Sequence, residues 1–159
     1  PWCLVGHLQR NKVRRALDLF DAVHTVDGQE LALCLERVLE EGSRTAYPVL
    51  LEVNVSGEAA KSGVTPEGVE ALGETLLSRC PRLSLEGLLA VGPLTEDPGA
   101  VRQSFRLLHR LAGDLRRRLG LPLPVLSMGM SDDFEVAVEE GSTLVRLGTL
   151  LFGPRRREA

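Results

Sequence analysis

The chain has 159 residues, of which 43% are hydrophobic and 26% charged, and its formal net charge is −3. This length and composition are typical of a globular domain with a buried core, and they exclude disordered and fibrous classes. The acidic balance excludes a general attraction to nucleic acid or anionic membranes, and the apolar stretches are too short to cross a bilayer. Because no apolar leader opens the chain, we expect a cytoplasmic protein.

The first half of the chain alternates short apolar runs with helical periods. "WCLVG" predicts a strand, residues 7–20 predict a helix, and "DAVHTVD" alternates as a strand does. A helix over residues 29–41 follows and ends at Gly42. Because Pro1 stands where a strand is already beginning, we expect a truncated or processed chain.

The second half continues the pattern. "YPVLLEVNV" is the clearest strand, since it is almost continuously apolar, as a strand covered on both faces should be. After a polar loop, Thr65 and Pro66 form the start of a helix that extends to residue 79, and "LSLEGLLAVG" is the next strand. A long helix then presents an apolar face made of Val101, Phe105, Leu108, Ala112, Leu115 and Leu119. "LPVLSMG", a helix over residues 132–140 and "STLVRLG" follow.

Three cysteines, Cys3, Cys34 and Cys80, are widely spaced and form no C-x-x-C pair. Such spacing is typical of neither a disulfide framework nor a zinc site. We therefore expect buried, unreactive thiols and no metal.

Six strands, with a helix after at least five of them, predict the α/β class with a parallel sheet. Two architectures fit, an open doubly wound sheet and a closed eight-stranded (β/α)8 TIM barrel. We expect one domain over residues 1–159. Six units are two short of a barrel, which agrees with the expectation of an incomplete N-terminus.

Ser131 stands where the N-cap of the helix over residues 132–140 belongs, with Asp132 and Asp133 in its first turn and Gly141 at its end. A well-capped helix explains all four residues by itself. The alternative is an anion site, because backbone N–H groups at a helix start bind anions. The two carboxylates weaken that alternative unless they point away.

The last strand, "TLVRLG", places Arg146 near its C-terminal end, which is the edge where parallel α/β proteins bind ligands. Gly148 and Thr149 follow and offer two backbone donors and a hydroxyl. Phosphate is commonly held in this way after the late strands of a barrel. A purely structural turn remains the alternative.

Four stretches together carry a resemblance to a known family: "GHLQRNKV", "LLEVNVSGEAAKSGV", "LEGLLAVG" and "SMGMSDDFEVAVEEGSTLVRLGTLLFG". They resemble the pyridoxal phosphate homeostasis proteins, and the likeness covers residues 2–153. The resemblance implies a barrel of the alanine racemase N-terminal type, with about the first two βα units absent here. It also implies pyridoxal 5'-phosphate at the C-terminal ends of the strands, and a cofactor carrier with no established turnover.

The same resemblance implies roles for individual residues. Ser131, Gly148 and Thr149 are similar to a phosphate cradle, and Arg146 to the cationic partner of the cofactor. The remaining positions expected near the cofactor are Met128, Gly129 and Asn54. His7, alone at a strand-to-helix turn, is interpreted as structural.

The lysine that forms the Schiff base in the family lies in a stretch before the region that begins here. The two lysines of this chain are Lys12, in a predicted helix, and Lys61, in a polar loop. We interpret both as solvated surface residues. We therefore expect binding through phosphate contacts, no internal imine, and no catalytic residue in this chain.

Two enzyme hypotheses stand beside the carrier. An alanine racemase-like enzyme acting on amino acids would need a tyrosine base, but Tyr47 begins a strand and should lie at the opposite end of the barrel. A phosphosugar-handling barrel would need a carboxylate or lysine pair at an open pocket. Asp132 and Asp133 are the adjacent carboxylates near the cradle, and helix capping already explains them.

Expectations about partners follow from charge and resemblance. Arginines cluster at residues 116–118 and 155–157, and in an acidic chain we interpret them as a solvated helix end and a frayed tail rather than a nucleic-acid surface. The resemblance implies apo-enzymes that use pyridoxal phosphate as recipients. We expect a monomer at full length.

Overall fold

The computed structural model of the chain describes residues 1–58 and 60–154. Its strands are β1 Cys3–Leu4, β2 Ala22–Val26, β3 Tyr47–Glu52, β4 Leu83–Leu89, β5 Val125–Met130 and β6 Leu144–Arg146. Its α-helices are α1 Val13–Leu19, α2 Gln29–Glu40, α3 Val69–Arg79, α4 Pro98–Leu119, α5 Phe134–Glu139 and α6 Thr149–Phe152. Short 3-10 turns at Arg10–Lys12 and Pro66–Gly68 lead into α1 and α3.

The six strands form one sheet in the order β1-β2-β3-β4-β5-β6, and every neighbouring pair is parallel. A doubly wound sheet would reverse its strand order at a switch point, whereas a barrel keeps sequence order. The sequential order therefore decides between the two predicted architectures. The α/β fold is a partial (β/α)8 barrel of six strands, and β1 and β6 form its edges among the described residues.

The long helix α4 shows how local sequence determines an element and its packing. The carboxylate of Asp97 accepts from the Gly99 N–H at 2.8 Å, Pro98 takes the first helical position, and Gly120 ends the helix with φ of +66°. The face turned to the sheet is fully or nearly fully buried and includes Phe105 and Leu108. Burying a large apolar side chain contributes about 1.5–3 kcal/mol, so this face fixes α4 on the sheet.

Several predicted boundaries differ from the structure. The helix over residues 7–20 begins later, because Gln9 has extended backbone and a 3-10 turn follows it. The strand from Tyr47 ends at Glu52 and continues only as a single bridge between Val53 and Val64. The helix expected from Asp132 begins at Phe134, because residues 131–133 form a turn.

The cysteines are free, as expected, and Cys34 and Cys80 are buried, although Cys3 is partly exposed. Burial raises the pKa of the Cys80 thiol to about 11, so this thiol is unreactive near neutral pH. None of the helices in the described ranges has the length and apolar composition that crossing a membrane requires.

Candidate functional site

The two faces of the sheet carry different sets of side chains. On β3, Val49 and Leu51 belong to the apolar core beneath the helices, whereas Leu50 and Glu52 alternate onto the opposite, concave face. The concave face is the interior of the partial barrel. Its C-terminal end, which we call the mouth, is the edge where barrel proteins place their ligands.

Arg146 reaches across the concave face from β6 to two other strands. Its Nη1 donates to the carbonyl oxygen of Ser127 at 3.0 Å and to Ser127 Oγ at 2.7 Å, and its Nη2 donates to the Ala90 carbonyl at 2.9 Å. All three acceptors are uncharged. Within residues 1–58 and 60–154, no carboxylate forms an ion pair with this guanidinium, so its positive charge is fixed in place and not neutralised by contact.

Glu52 is the last residue of β3 and is 8% exposed. Its Oε2 is buried and has no hydrogen-bond partner among the described residues. Burial, followed by the neighbouring Asp27, raises the pKa of the Glu52 carboxyl against the smaller opposing effects of Arg146 and His7. The carboxyl is therefore biased toward its neutral form.

His7 and Asp27 follow β1 and β2 and meet at the mouth. Nδ1 of His7 lies 2.9 Å from Oδ2 of Asp27, which agrees with the structural role expected for this histidine. A cleft of about 580 Å³ lies beside the pair, lined by residues 7–10 and 27–31. His24, further down β2, has its pKa lowered by burial and then by Arg146. These groups extend the polar lining of the mouth beyond β6.

Ser131 is not a helix cap, contrary to the prediction. Its Oγ accepts hydrogen bonds from the backbone N–H groups of Gly148 and Leu150, each at 3.2 Å, and so joins the turn after β5 to the first turn of α6. The helix start for which an anion site was the alternative interpretation lies at Asp133 instead, which precedes α5 and accepts from the Met130 N–H at 2.5 Å. Asp132 and Asp133 are thus parts of a turn and not of the first helical turn.

Gly148 and Thr149 lie at the start of α6 beside Ser131. A Cβ built on Gly148 would meet nothing within 4 Å, and its φ of −120° is open to any residue. Packing therefore does not explain the glycine. The Thr149 side chain is exposed and makes no hydrogen bond to the described residues. The structure thus brings Ser131, Gly148 and Thr149 together, with open space in front of them.

The other predicted cofactor neighbours are placed differently. The Met128 side chain is fully buried in the core, so it lies on the wrong face of β5 for the mouth. Gly129 has φ of +92° and lets α5 approach β5 closely, which explains the glycine without a ligand. Asn54 uses its whole amide within the following loop: Nδ2 donates to Glu58 and Lys61 carbonyls, and Oδ1 accepts from Ser56 Oγ and the Gly57 N–H.

Lys61 is not a solvated surface residue. Its side chain is 24% exposed, and its Nζ donates to the Gly92 carbonyl at 3.0 Å and pairs with Glu58 at 2.6 Å. It lines a cleft of about 590 Å³ together with Met130 and Asp133. Lys12 is exposed on the 3-10 turn before α1, as expected. Neither lysine lies at a strand end on the concave face.

The arginine run at residues 116–118 ends α4, as expected. Arg116 donates to the carbonyls of Pro122 and Leu123, while Arg117 and Arg118 pair with acidic groups of α4 and α3. The run at residues 155–157 lies outside the described residues. In the described part of the chain, no group of three His, Cys, Asp or Glu side chains is arranged to hold a metal ion.

Sequence reasoning missed Glu52, Ser127 and Asp27. A charged residue inside the almost continuously apolar stretch "YPVLLEVNV" was the available signal for Glu52, since an ionisable residue in a buried strand needs an explanation. Ser127 and Asp27 gave no such signal, because isolated serine and aspartate residues occur in many turns and strand ends.

Comparisons with known proteins identify the family of the chain. Residues 1–156 match the family described as alanine racemase, N-terminal domain. Pyridoxal phosphate homeostasis proteins of Aquifex aeolicus and Pseudomonas aeruginosa are 43% and 44% identical to this chain over 98% and 97% of its length. The chain spans 67% of the first relative and 64% of the second, so about a third of each relative has no counterpart here.

Comparisons with solved structures show the same fold. PipY of Synechococcus elongatus, in a structure described as having PLP bound, is 35% identical with a TM-score of 0.85, over 96% of this chain and 70% of that one. Alanine racemase of Corynebacterium glutamicum is 20% identical with a TM-score of 0.72, over 96% of this chain and 41% of that one. At that identity the second likeness concerns the fold alone.

Proposed function

The chain belongs to the pyridoxal phosphate homeostasis protein family, whose fold is that of the alanine racemase N-terminal domain, and from this premise we propose that it binds pyridoxal 5'-phosphate at the mouth. The hydroxyls of Ser131 and Thr149 would hold the phosphate, Gly148 would leave room for it, and Arg146 would supply a positive charge at the same end of the sheet. A solved relative, PipY, whose structure is described as having PLP bound, supports this proposal. The proposal also requires that the residues at the mouth fit the cofactor.

The observation that carries the proposal is the bonding of Ser131. A serine hydroxyl has two acceptor lone pairs and one donor hydrogen. Both lone pairs are taken by the N–H groups of Gly148 and Leu150, so the remaining capacity of this hydroxyl is to donate. No acceptor for that hydrogen lies among the described residues. A phosphate group offers only acceptor oxygens, so it complements this hydroxyl, and the side-chain-free Gly148 leaves room for its approach.

Arg146 supports the proposal independently. Its three hydrogen bonds to Ser127 and Ala90 hold the guanidinium at a fixed position on the concave face, and none of the three acceptors is charged. A fixed, partly desolvated cation attracts an anionic ligand more strongly than a mobile surface arginine does. Arg146 would therefore attract the anionic phosphate of pyridoxal 5'-phosphate.

We infer that the role is storage and delivery of the cofactor rather than turnover. When bound, the cofactor supplies an aldehyde that forms imines reversibly with amines. The protein residues bind the phosphate, orient the ring and shield it from water. The recipients of the cofactor are apo-enzymes that need it. The full-length protein is a cytoplasmic monomer. Residues 1–159 belong to one barrel domain.

An alanine racemase-like enzyme acting on amino acids is the second candidate, and the position of Tyr47 weighs against it. Tyr47 begins β3 at the edge opposite the mouth, and its hydroxyl donates to the Phe20 carbonyl at 3.0 Å. Burial raises its pKa to about 12, which is unsuited to a base near neutral pH. Racemase or decarboxylase turnover by the full-length protein would contradict the carrier role.

The first test compares pyridoxal 5'-phosphate with pyridoxal in a titration of the 159-residue chain, followed by borohydride reduction and mass measurement. We expect saturable binding of the phosphorylated form, much weaker binding of pyridoxal, and no covalent adduct, because neither Lys12 nor Lys61 lies at a strand end on the concave face. Equal binding of the two compounds would contradict the phosphate cradle. A reduced adduct on Lys61 would show that this lysine can reach the aldehyde.

Replacing Ser131 with alanine should lower the affinity for pyridoxal 5'-phosphate by about 10-fold or more, because a hydrogen bond to a charged group is worth about 1.5–3 kcal/mol. Affinity for pyridoxal should change little. The matched control is Ser78→Ala on α3, whose hydroxyl, within the part of the chain that the structure describes, bonds only to the α3 carbonyls of Glu74 and Thr75. Equal losses for the two ligands would mean that Ser131 acts through folding and not through the phosphate.

A further inference from the structure

The buried carboxyl of Glu52 is the feature of the mouth that the proposed function does not use. It is 8% exposed, and its Oε2 is the one buried side-chain nitrogen or oxygen in residues 1–58 and 60–154 without a hydrogen-bond partner. Buried polar groups in folded proteins are nearly always paired, so an orphan of this kind requires an explanation. Its position on the concave face, where ligands enter, suggests a functional one.

Three charged or titratable groups of the described residues act on the pKa of the Glu52 carboxyl, each from a different part of the sheet. Asp27 follows β2, His7 follows β1, and Arg146 lies on β6; all three affect the Glu52 carboxyl. On the remaining neighbour, β4, Glu52 is paired with the apolar Leu89. Asp27 is already hydrogen-bonded to His7, so it offers Glu52 repulsion and no partner.

We propose that Glu52 takes up a proton when an anionic phosphate group binds at the mouth, and thereby controls the affinity of the site. This inference rests on the proposed function. The proton passes from the buffer acid to a carboxylate oxygen of Glu52, and one negative charge disappears from the mouth. The burial and missing partner of Oε2, the fixed charge of Arg146 and the position of Asp27 carry the argument.

The direction of the effect follows from linkage. A bound anion makes the potential at Glu52 more negative, so the pKa of this carboxyl is higher in the complex than in the free protein. The protein therefore binds more protons when the site is filled. Affinity is highest when Glu52 is already protonated, and it falls as pH rises through the titration range of Glu52 in the free protein.

The experiment is calorimetric titration with pyridoxal 5'-phosphate in two buffers of equal pH but different ionisation enthalpy, repeated over a pH series. The wild-type chain is compared with Glu52→Gln, which resembles the neutral acid, and with Glu40→Gln. Glu40 is the last residue of α2 and is 67% exposed, and we expect it to behave as wild type. Protons bound by the cofactor itself are common to all three proteins and cancel in the comparison.

We expect greater proton uptake by wild type and Glu40→Gln than by Glu52→Gln. We also expect the wild-type affinity to fall about 10-fold relative to that of Glu52→Gln between low and high pH. Equal proton uptake in all three proteins overturns the inference and leaves the proposed function intact. Absence of binding to the wild type overturns both. A pH titration of the Glu52 carboxyl carbon by NMR, with and without cofactor, tests the same shift in the unmodified protein.

Discussion

Replacement of Arg146 by methionine should abolish most binding of pyridoxal 5'-phosphate and also weaken the sheet. The guanidinium joins β6 to β5 and β4 through Ser127 and Ala90. Methionine has similar length but no donors, so the buried Ser127 hydroxyl and two carbonyl oxygens lose their charged partner. Hydrogen bonds to charged groups are worth about 1.5–3 kcal/mol, so we expect a loss of about 2–4 kcal/mol in the free energy of unfolding.

Arg146→Met should lower the affinity for pyridoxal 5'-phosphate by at least about 10-fold, because the fixed cation is lost together with the hydrogen bonds that orient it. Denaturant unfolding measures the first effect and cofactor titration the second. Arg117→Met is the matched control, since Arg117 is 76% exposed and, among the described residues, pairs only with Asp114 in the preceding turn of α4. Arg146→Lys separates the two contributions: it retains the charge but not the planar group that reaches both strands. Full stability and affinity in Arg146→Met would contradict the assigned role.

The second large effect is expected from Gly129→Ala at the end of β5. A Cβ at this position would lie 2.5 Å from the Ala137 Cβ and 3.0 Å from the Phe134 Cα, and the φ of +92° is strained for any residue with a side chain. Backbone strain of this kind costs about 1–3 kcal/mol, and overpacking a close contact costs a similar amount. We expect the free energy of unfolding to fall by about 2–5 kcal/mol.

Gly113→Ala provides the control for that change. Gly113 lies within α4, and a Cβ there would meet only the end of the Arg117 side chain at 3.8 Å. Alanine should stabilise this helix by up to about 1 kcal/mol. If Gly129→Ala unfolded at the same denaturant concentration as wild type, the close approach of α5 to β5 would not explain why residue 129 is a glycine. The glycine would then need a ligand-based explanation.

Most of the fold could be predicted from the sequence, because its signals are local. Helix α4 shows this clearly: Asp97 and Pro98 begin it, Gly120 ends it, and the predicted apolar face is the buried one. The prediction failed where a local signal had two interpretations. Ser131 followed by Asp132 and Asp133 has the pattern of a helix start, but the carboxylate of Asp133 bonds the Met130 N–H and makes a turn instead.

The candidate site likewise contains residues whose positions could be predicted and residues whose positions could not. The positions of Arg146, Gly148 and Thr149 at the end of β6 could be predicted because these residues follow one another at the end of a recognisable strand. Met128 was misplaced because a short strand buried on both faces shows no alternation that says which side chains face the helices. Asn54 was misplaced because its hydrogen bonds run to loop residues up to seven positions away, and sequence does not reveal how such a loop closes.

By itself, the sequence determined six βα units, their order and the strand end that carries Arg146, because periodicity, capping residues and glycine turns act over a few residues. The tertiary structure confirmed that the strands pair in sequence order, as the barrel implied by the resemblance requires, and it alone showed that Ser131 bonds to backbone groups 17 and 19 residues away. It alone placed Glu52 on the concave face, with an Oε2 that has no hydrogen-bond partner among the described residues. These features depend on contacts between distant segments and on the curvature of the sheet, which no local pattern of residues specifies.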